Sequence, residues 1–327
     1  MKKTIFSTLL VFSAFNTHAN EFVYNGNFNN PVEITTCNAF NAAPHTRNPE
    51  GPFVAKVWNS SSSFVKWGDN YGVNNGPGLK FHLPKGGSRV EVFASEFMGY
   101  KNSYCDGTQN SFVDLEKGQS RWNAFSFKLD SQLTPGMPLI IHQLYSAPSN
   151  GPKIHFYLTV VDGINYVNFA YLANCRDNNW DSLVNADGDK LCPIQTSEKV
   201  TVAFKRVPFT VGKWNHIRYN IRADWPNNSE YQNEVASGSL SAAIKQENEG
   251  WQMFWYHGLD TKGGKRPTFS TFTHDISAVL GGKVRPDGHV SHSLEFGIYG
   301  SASSDITLFI DEIHSNRYFS ALPAIYK

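Results

Sequence analysis

Three short stretches carry side chains able to hold an anion or move a proton. "SRVEVF" contains Arg89 and Glu91, "PLIIHQLYS" contains His142, Gln143 and Tyr145, and "SLEFGIYG" contains Glu295 and Tyr299. A guanidinium or an amide can neutralise a carboxylate. An imidazole or a phenol can take up and return a proton. Strand side chains alternate with period two, so the residues that share a face can be read from their spacing. Arg89, Glu91 and Phe93 fall opposite Val90 and Val92. Glu295, Gly297 and Tyr299 fall opposite Leu294, Phe296 and Ile298. In "KIHFYLTV", His155 and Tyr157 fall opposite Ile154, Phe156 and Leu158. Strict alternation in "PLIIHQLYS" puts Gln143 and Tyr145 with Leu139 and Ile141, and His142 with Ile140 and Leu144. That strand is apolar on both sides, so which face turns inward stays open. Each residue also has an ordinary reading. Tyr299 would be a rim tyrosine, His142 a satisfied core histidine, Gln143 a cross-strand polar partner, and Arg89 with Glu91 a surface ion pair.

The elements that must position these groups are strands. "NAFSFKL", "NYVNFAYL", "KVTVAFKRV", "WNHIRYNIR", "GWQMFWY" and "ITLFIDEI" are short, rich in β-branched and aromatic residues, and separated by Gly/Pro/Asn/Asp turns. A helical period shows only as a turn or two near Ser229–Val235 and Asp275–Leu280. The expected fold is an all-β two-sheet jelly roll with few short helices, one domain over residues 20–327. Residues 1–19 read as a secretory signal peptide: Lys2 and Lys3, a short apolar run, then Thr17-His18-Ala19. The mature protein is expected to be secreted or periplasmic and monomeric. The 327-residue chain carries a formal charge of +1, and without Lys2 and Lys3 about −1, which calls for neither nucleic acid nor membrane. Cys37, Cys105, Cys175 and Cys192 form an even set in an exported chain, so disulfides are expected. Cys175 with Cys192 brackets a polar loop and leaves Cys37 with Cys105, one of three connectivities.

The ordered motifs resemble a family. An Arg-x-Glu strand, a central strand with Gln and a proton-transfer residue, and a late Gly-x-Tyr strand followed by "DEI" look like the jelly-roll polysaccharide lyases of concanavalin-like fold, which act on alginate, glucuronan and heparin. "GKWNHIRYNIRADW" is similar to a strand of that group. The resemblance runs over roughly Arg89 to Ile313. It implies β-elimination on a uronic-acid polymer: the sugar carboxylate is neutralised, a base takes the C5 proton, and an acid protonates the leaving O4. By resemblance Tyr299 is the proton carrier, Gln143 the neutralising amide and Arg89 the arginine of the first strand, with His142 or Tyr145 as the second proton-transfer group. Three positions depart from the alginate-lyase pattern: Tyr145 stands for a histidine, Glu295 for a lysine, and Phe93 for a second arginine.

An anionic polysaccharide would also meet Glu91, His155, Tyr157 and Glu295 on the same faces. Lys262, Lys265 and Arg266, and Lys283 with Arg285, stand in two glycine-containing loops that suit an anionic polymer or are plain solvated turns. Asn185, Asp187 and Asp189 have the spacing of a calcium loop without the distant bidentate Glu, so a structural Ca²⁺ competes there with a plain turn. No other cofactor is expected. Two alternatives stay open. One is a non-catalytic carbohydrate-binding sandwich, with Trp225, Trp251 and Trp255 able to stack on sugar rings. The other is a jelly-roll glycoside hydrolase using Glu91 and Glu295.

Overall fold

The structure is a computed structural model that describes residues 24–26, 35–38, 53–58, 62–94, 113–115, 120–146, 152–174, 199–203, 206–222, 239–256 and 290–327. Side chains are described within 62–92, 121–144, 154–170, 206–221, 241–254 and 294–327. The signal-peptide reading, the calcium-loop spacing, both basic loops, Trp225 and the two helical turns lie outside the described residues. The cysteine pairing and the side chains of Tyr145 and Trp255 do so too.

Among the described residues the strands form two sheets, and no helix is long and apolar enough to cross a membrane. Sheet A runs β16 (Gln252–Tyr256), β15 (Ser239–Gln246), β14 (Asn215–Arg222), β8 (Ser120–Leu129), β18 (Ile306–Asn316), β5 (Gly78–Leu83), β4 (Phe64–Gly68), with β1 (Tyr24–Gly26) also on β18. Sheet B runs β12 (Lys199–Ala203), β11 (Ile164–Asn174), β10 (Pro152–Val161), β9 (Leu139–Ser146), β17 (Val290–Tyr299), β6 (Arg89–Ala94), β3 (Phe53–Trp58), β2 (Thr35–Asn38). There β13 (Val207–Pro208) joins β11, and β7 (Val113–Leu115) joins β17. Pairing is antiparallel except between β2 and β3. This is the expected all-β jelly-roll sandwich.

Alternating apolar residues drive the layering. Phe125 and Phe127 of β8, Tyr219 of β14 and Leu308 and Ile310 of β18 meet Phe156 of β10, Phe169 of β11 and Phe296 of β17 in one buried core. Removing a phenylalanine of this kind from water contributes about 2–3 kcal/mol. The core claims one face of each strand and leaves Arg89, Glu91, His155, Tyr157, Glu295 and Tyr299 on the outer face of sheet B.

The central strand departs from strict alternation. Against β10, His142 faces Phe156 while Ile140 faces Tyr157, so Ile141 is a bulge residue. Leu139, Ile141 and Leu144 all join the core, with His142 buried beside them, whereas Ile140 is half-buried and shares the outer face with Gln143. One extra residue resets the phase of a strand, and Gln143 therefore does not share a face with Ile141.

Candidate functional site

Two rows of side chains cross the outer face of sheet B. In one, Tyr157, Ile140, Tyr299 and Arg89 are successive cross-strand partners on β10, β9, β17 and β6. In the other, His155, Gln143 and Glu295 are partners on β10, β9 and β17. Glu91 of β6 sits opposite Gly297. Neighbouring strands lie about 4.8 Å apart, so side chains of adjacent rows can touch.

Glu91, Gln143 and Glu295 form a sealed polar floor, each 0–1% exposed. Gln143 reaches across β17, where residue 297 has no side chain, and its Nε2 donates to Glu91 Oε1 (2.7 Å) and Glu295 Oε2 (3.2 Å). Arg89 donates from Nε to Glu91 and from Nη2 to Glu295 (3.1 Å). Two buried carboxylates thus share one guanidinium and one amide. Such a group holds together only while every charge keeps its partners. The arrangement also orients the amide. Both Nε2 hydrogens face carboxylates, so Gln143 presents its carbonyl, an acceptor, to anything else nearby. Glu91 and Glu295 converge on one nitrogen beneath Arg89, which leaves no room for a glycosidic bond between them.

Tyr299 is the most exposed member of the group, 39% accessible, and the Arg89 guanidinium lies 4.5 Å from its ring centroid. The contact depends on Gly297. That residue has φ +145°, and a Cβ there would come within 2.3 Å of the Val90 carbonyl oxygen. The glycine lets β6 approach β17 closely enough to bring Arg89 under Tyr299.

His155 stands beside Gln143 with Nδ1 buried and unpartnered. Burial lowers its pKa from 6.5 to about 4, so the imidazole is neutral over ordinary pH. Its ring lies 5.6 Å from that of Tyr157, whose phenol burial pushes up. A buried polar atom without a partner is a cost that most folds avoid.

His142 does not belong to this surface. It is 1% exposed between the sheets, stacked on Phe296 at 4.3 Å. Nδ1 lies 2.8 Å from the Glu295 carbonyl oxygen, which can only accept, so Nδ1 carries the proton. Nε2 therefore accepts from the Tyr219 hydroxyl at 2.8 Å. Burial, partly offset by the bond to Glu295, lowers its pKa to about 3. As a catalytic candidate His142 is corrected to a core histidine that fixes the Glu295 backbone from beneath. Tyr219 is the residue sequence reasoning missed. Its position between Ile217 and Ile221 in "WNHIRYNIR" marks a phenol turned into the core, which must find a partner. Among the described residues no group of three or more His, Cys, Asp or Glu side chains could hold a metal ion. Trp251 is half-buried on sheet A's side of the molecule against Arg218, 4.0 Å from its ring.

No family model and no curated protein matches the chain. Solved structures similar to it include a PL-14 alginate lyase from Aplysia kurodai, 12% identical, TM-score 0.45, covering 77% of this chain and 86% of that one. An exolytic PL7 alginate lyase from Zobellia galactanivorans is 11% identical, TM-score 0.41, over 80% and 89%. A cellulose-induced protein, Cip1, is 9% identical, TM-score 0.39, over 81% and 90%. Likenesses this distant carry no argument about activity.

Proposed function

We propose that the protein is a secreted polysaccharide lyase that cleaves an anionic, uronic-acid-containing polysaccharide by β-elimination on the outer face of sheet B. The observation that carries this reading is the exposed Tyr299 phenol held over Arg89 beside a sealed polar floor. In the reaction a base takes the C5 proton, and the C5–H electron pair becomes the C4=C5 double bond. The C4–O4 bond breaks and an acid protonates O4. Tyr299 is the acid. His155, held neutral by burial beside Gln143, is the base that the departure at position 145 leaves unfilled. Arg89 supplies the positive charge nearest the phenol.

A second reading, glycan binding without cleavage, is favoured by one feature. Both hydrogens of the Gln143 amide are spent on Glu91 and Glu295, so in this arrangement it has none for a sugar carboxylate. Incubating the purified protein with alginate, glucuronan, heparin, hyaluronan and pectate separates the two. Ultraviolet absorbance from unsaturated uronate ends that grows with wild type and is abolished by Tyr299→Phe establishes the lyase. Retention of a polymer with no absorbance gain and no shortening establishes the binding protein.

A further inference from the structure

The outer face of sheet A, on the far side of the sandwich, carries a row of cations that the lyase reading does not use. Lys66 on β4 is directly opposite Lys80 on β5. Lys80 is in register with Phe309 on β18, and Phe309 with Lys128 on β8. Four adjacent strands so present Lys66, Lys80, Phe309 and Lys128 in one line about 14 Å long. Among the described residues none of the three ammonium groups has a carboxylate partner or a hydrogen bond. The neighbouring acid on β18, Asp311, is buried and accepts from the backbone nitrogens of Val73 and Glu312.

Like charges placed directly opposite across a strand pair cost stability, and Lys66 against Lys80 is such a pair. Covering aromatic surface with lysine stems accounts for part of the arrangement. Lys128 Nζ lies 4.6 Å from the Phe309 ring centroid and 5.5 Å from that of Trp214. Lys80 Nζ lies 5.8 Å from the Phe309 and Tyr71 rings, and Lys66 4.7 Å from Phe64. It does not account for the lack of a paired counter-charge among the described residues. The rings also hold the lysines in place, so less side-chain freedom is lost when a ligand binds.

From this we infer a second binding surface on the outer face of sheet A, which takes a strand of carboxylated or sulfated polysaccharide along the Lys66–Lys80–Lys128 row. A polymer with anions repeated along one edge matches a line of fixed point charges. A single-stranded nucleic acid matches it poorly, because base recognition needs open aromatic faces. Here Phe309 and Trp214 are each only 8% exposed beneath the lysines. The surface does not depend on catalysis at Tyr299. With both sheets engaged, one protein would hold a polymer at two places and gain by avidity.

Electrophoresis through gels containing alginate, heparin, neutral dextran or single-stranded DNA tests it. The assay uses a Tyr299→Phe protein so that no polymer is consumed and a failed lyase reading leaves the assay intact. Alginate and heparin are expected to retard the protein in a salt-sensitive way while dextran does not. Adding Lys66→Gln, Lys80→Gln and Lys128→Gln should weaken the retardation about tenfold. The melting temperature should stay level or rise as the Lys66–Lys80 repulsion is relieved. If the triple variant misfolds, Lys80→Met, which keeps an apolar stem on the rings, is read in its place. Undiminished retardation of the folded variant overturns the surface. Tighter retention by DNA than by either polysaccharide overturns the class of ligand.

Discussion

At the scale of single residues, His155 and Arg89 make opposite predictions about stability and activity. His155 has a buried, unpaired Nδ1, so removing its nitrogens relieves a desolvation cost of about 1–3 kcal/mol. His155→Phe should leave stability unchanged or raise it, while turnover falls roughly 10²–10⁴-fold, the usual range for a lost general base. Urea unfolding and absorbance kinetics read the two separately, and full turnover in the variant removes His155 from the mechanism. Arg89 is the shared partner of two sealed carboxylates. Arg89→Ala should cost about 3–5 kcal/mol, because it strands buried charge, and a loss below ~1 kcal/mol would mean that the floor reorganises. The facing of Arg89, Glu91, His155, Glu295 and Tyr299 was legible from alternation alone. Their bonding was not, since Gln143 and Glu91 are two strands apart, and spacing within a strand says nothing about partners across a sheet. The core reading of His142 was available from its apolar neighbours, and the same limit hid its partners. Its identity suggested proton transfer, while the Glu295 carbonyl and the Tyr219 hydroxyl that make it a core residue come from β17 and β14.

At the scale of elements, the β6–β17–β9 unit depends on two local irregularities. One is the Ile141 bulge, which turns Gln143 to the outer face although Ile141 and His142 both point inward. A bulge leaves little trace in a run of apolar residues, so "PLIIHQLYS" did not reveal its own phase. The other is Gly297, whose φ of +145° and contact with the β6 backbone exclude any side chain. In "FGIY" the space the glycine leaves serves the neighbouring backbone more than the tyrosine ring. Gly297→Ala should push β6 from β17, separate Arg89 from Tyr299, and destabilise by more than about 2 kcal/mol. Activity should fall with it although no functional side chain is lost. A variant with native unfolding free energy and native turnover would show that the strand pair tolerates the methyl group.

At the scale of the whole molecule, the buried titratable groups set how the fold responds to acid. His142, His155 and His216 are held neutral by burial, with pKa values lowered to about 3, 4 and 4 from 6.5. The unfolded chain binds protons at these three sites below pH 6.5 and the folded chain does not, so their contribution to stability shrinks as pH falls towards 4. Asp311 acts in the opposite sense. Burial raises its pKa to about 7 from 3.8, so the folded chain holds a proton that the unfolded chain releases over most of that window. This contribution grows as pH falls. Each fully displaced site shifts stability by ~1.4 kcal/mol per pH unit. Among the described residues, these three histidines and this aspartate together give a net uptake of about two protons on unfolding between pH 6 and 4.5. Urea midpoints measured across that range should therefore fall steeply towards acid. Asp311→Asn removes the opposing group among these four and should steepen the dependence by about one proton. A slope that is flat in wild type, or unchanged in Asp311→Asn, would mean that these side chains meet solvent more readily than their packing implies, and would undercut the neutral His155 on which the proposed proton transfer depends.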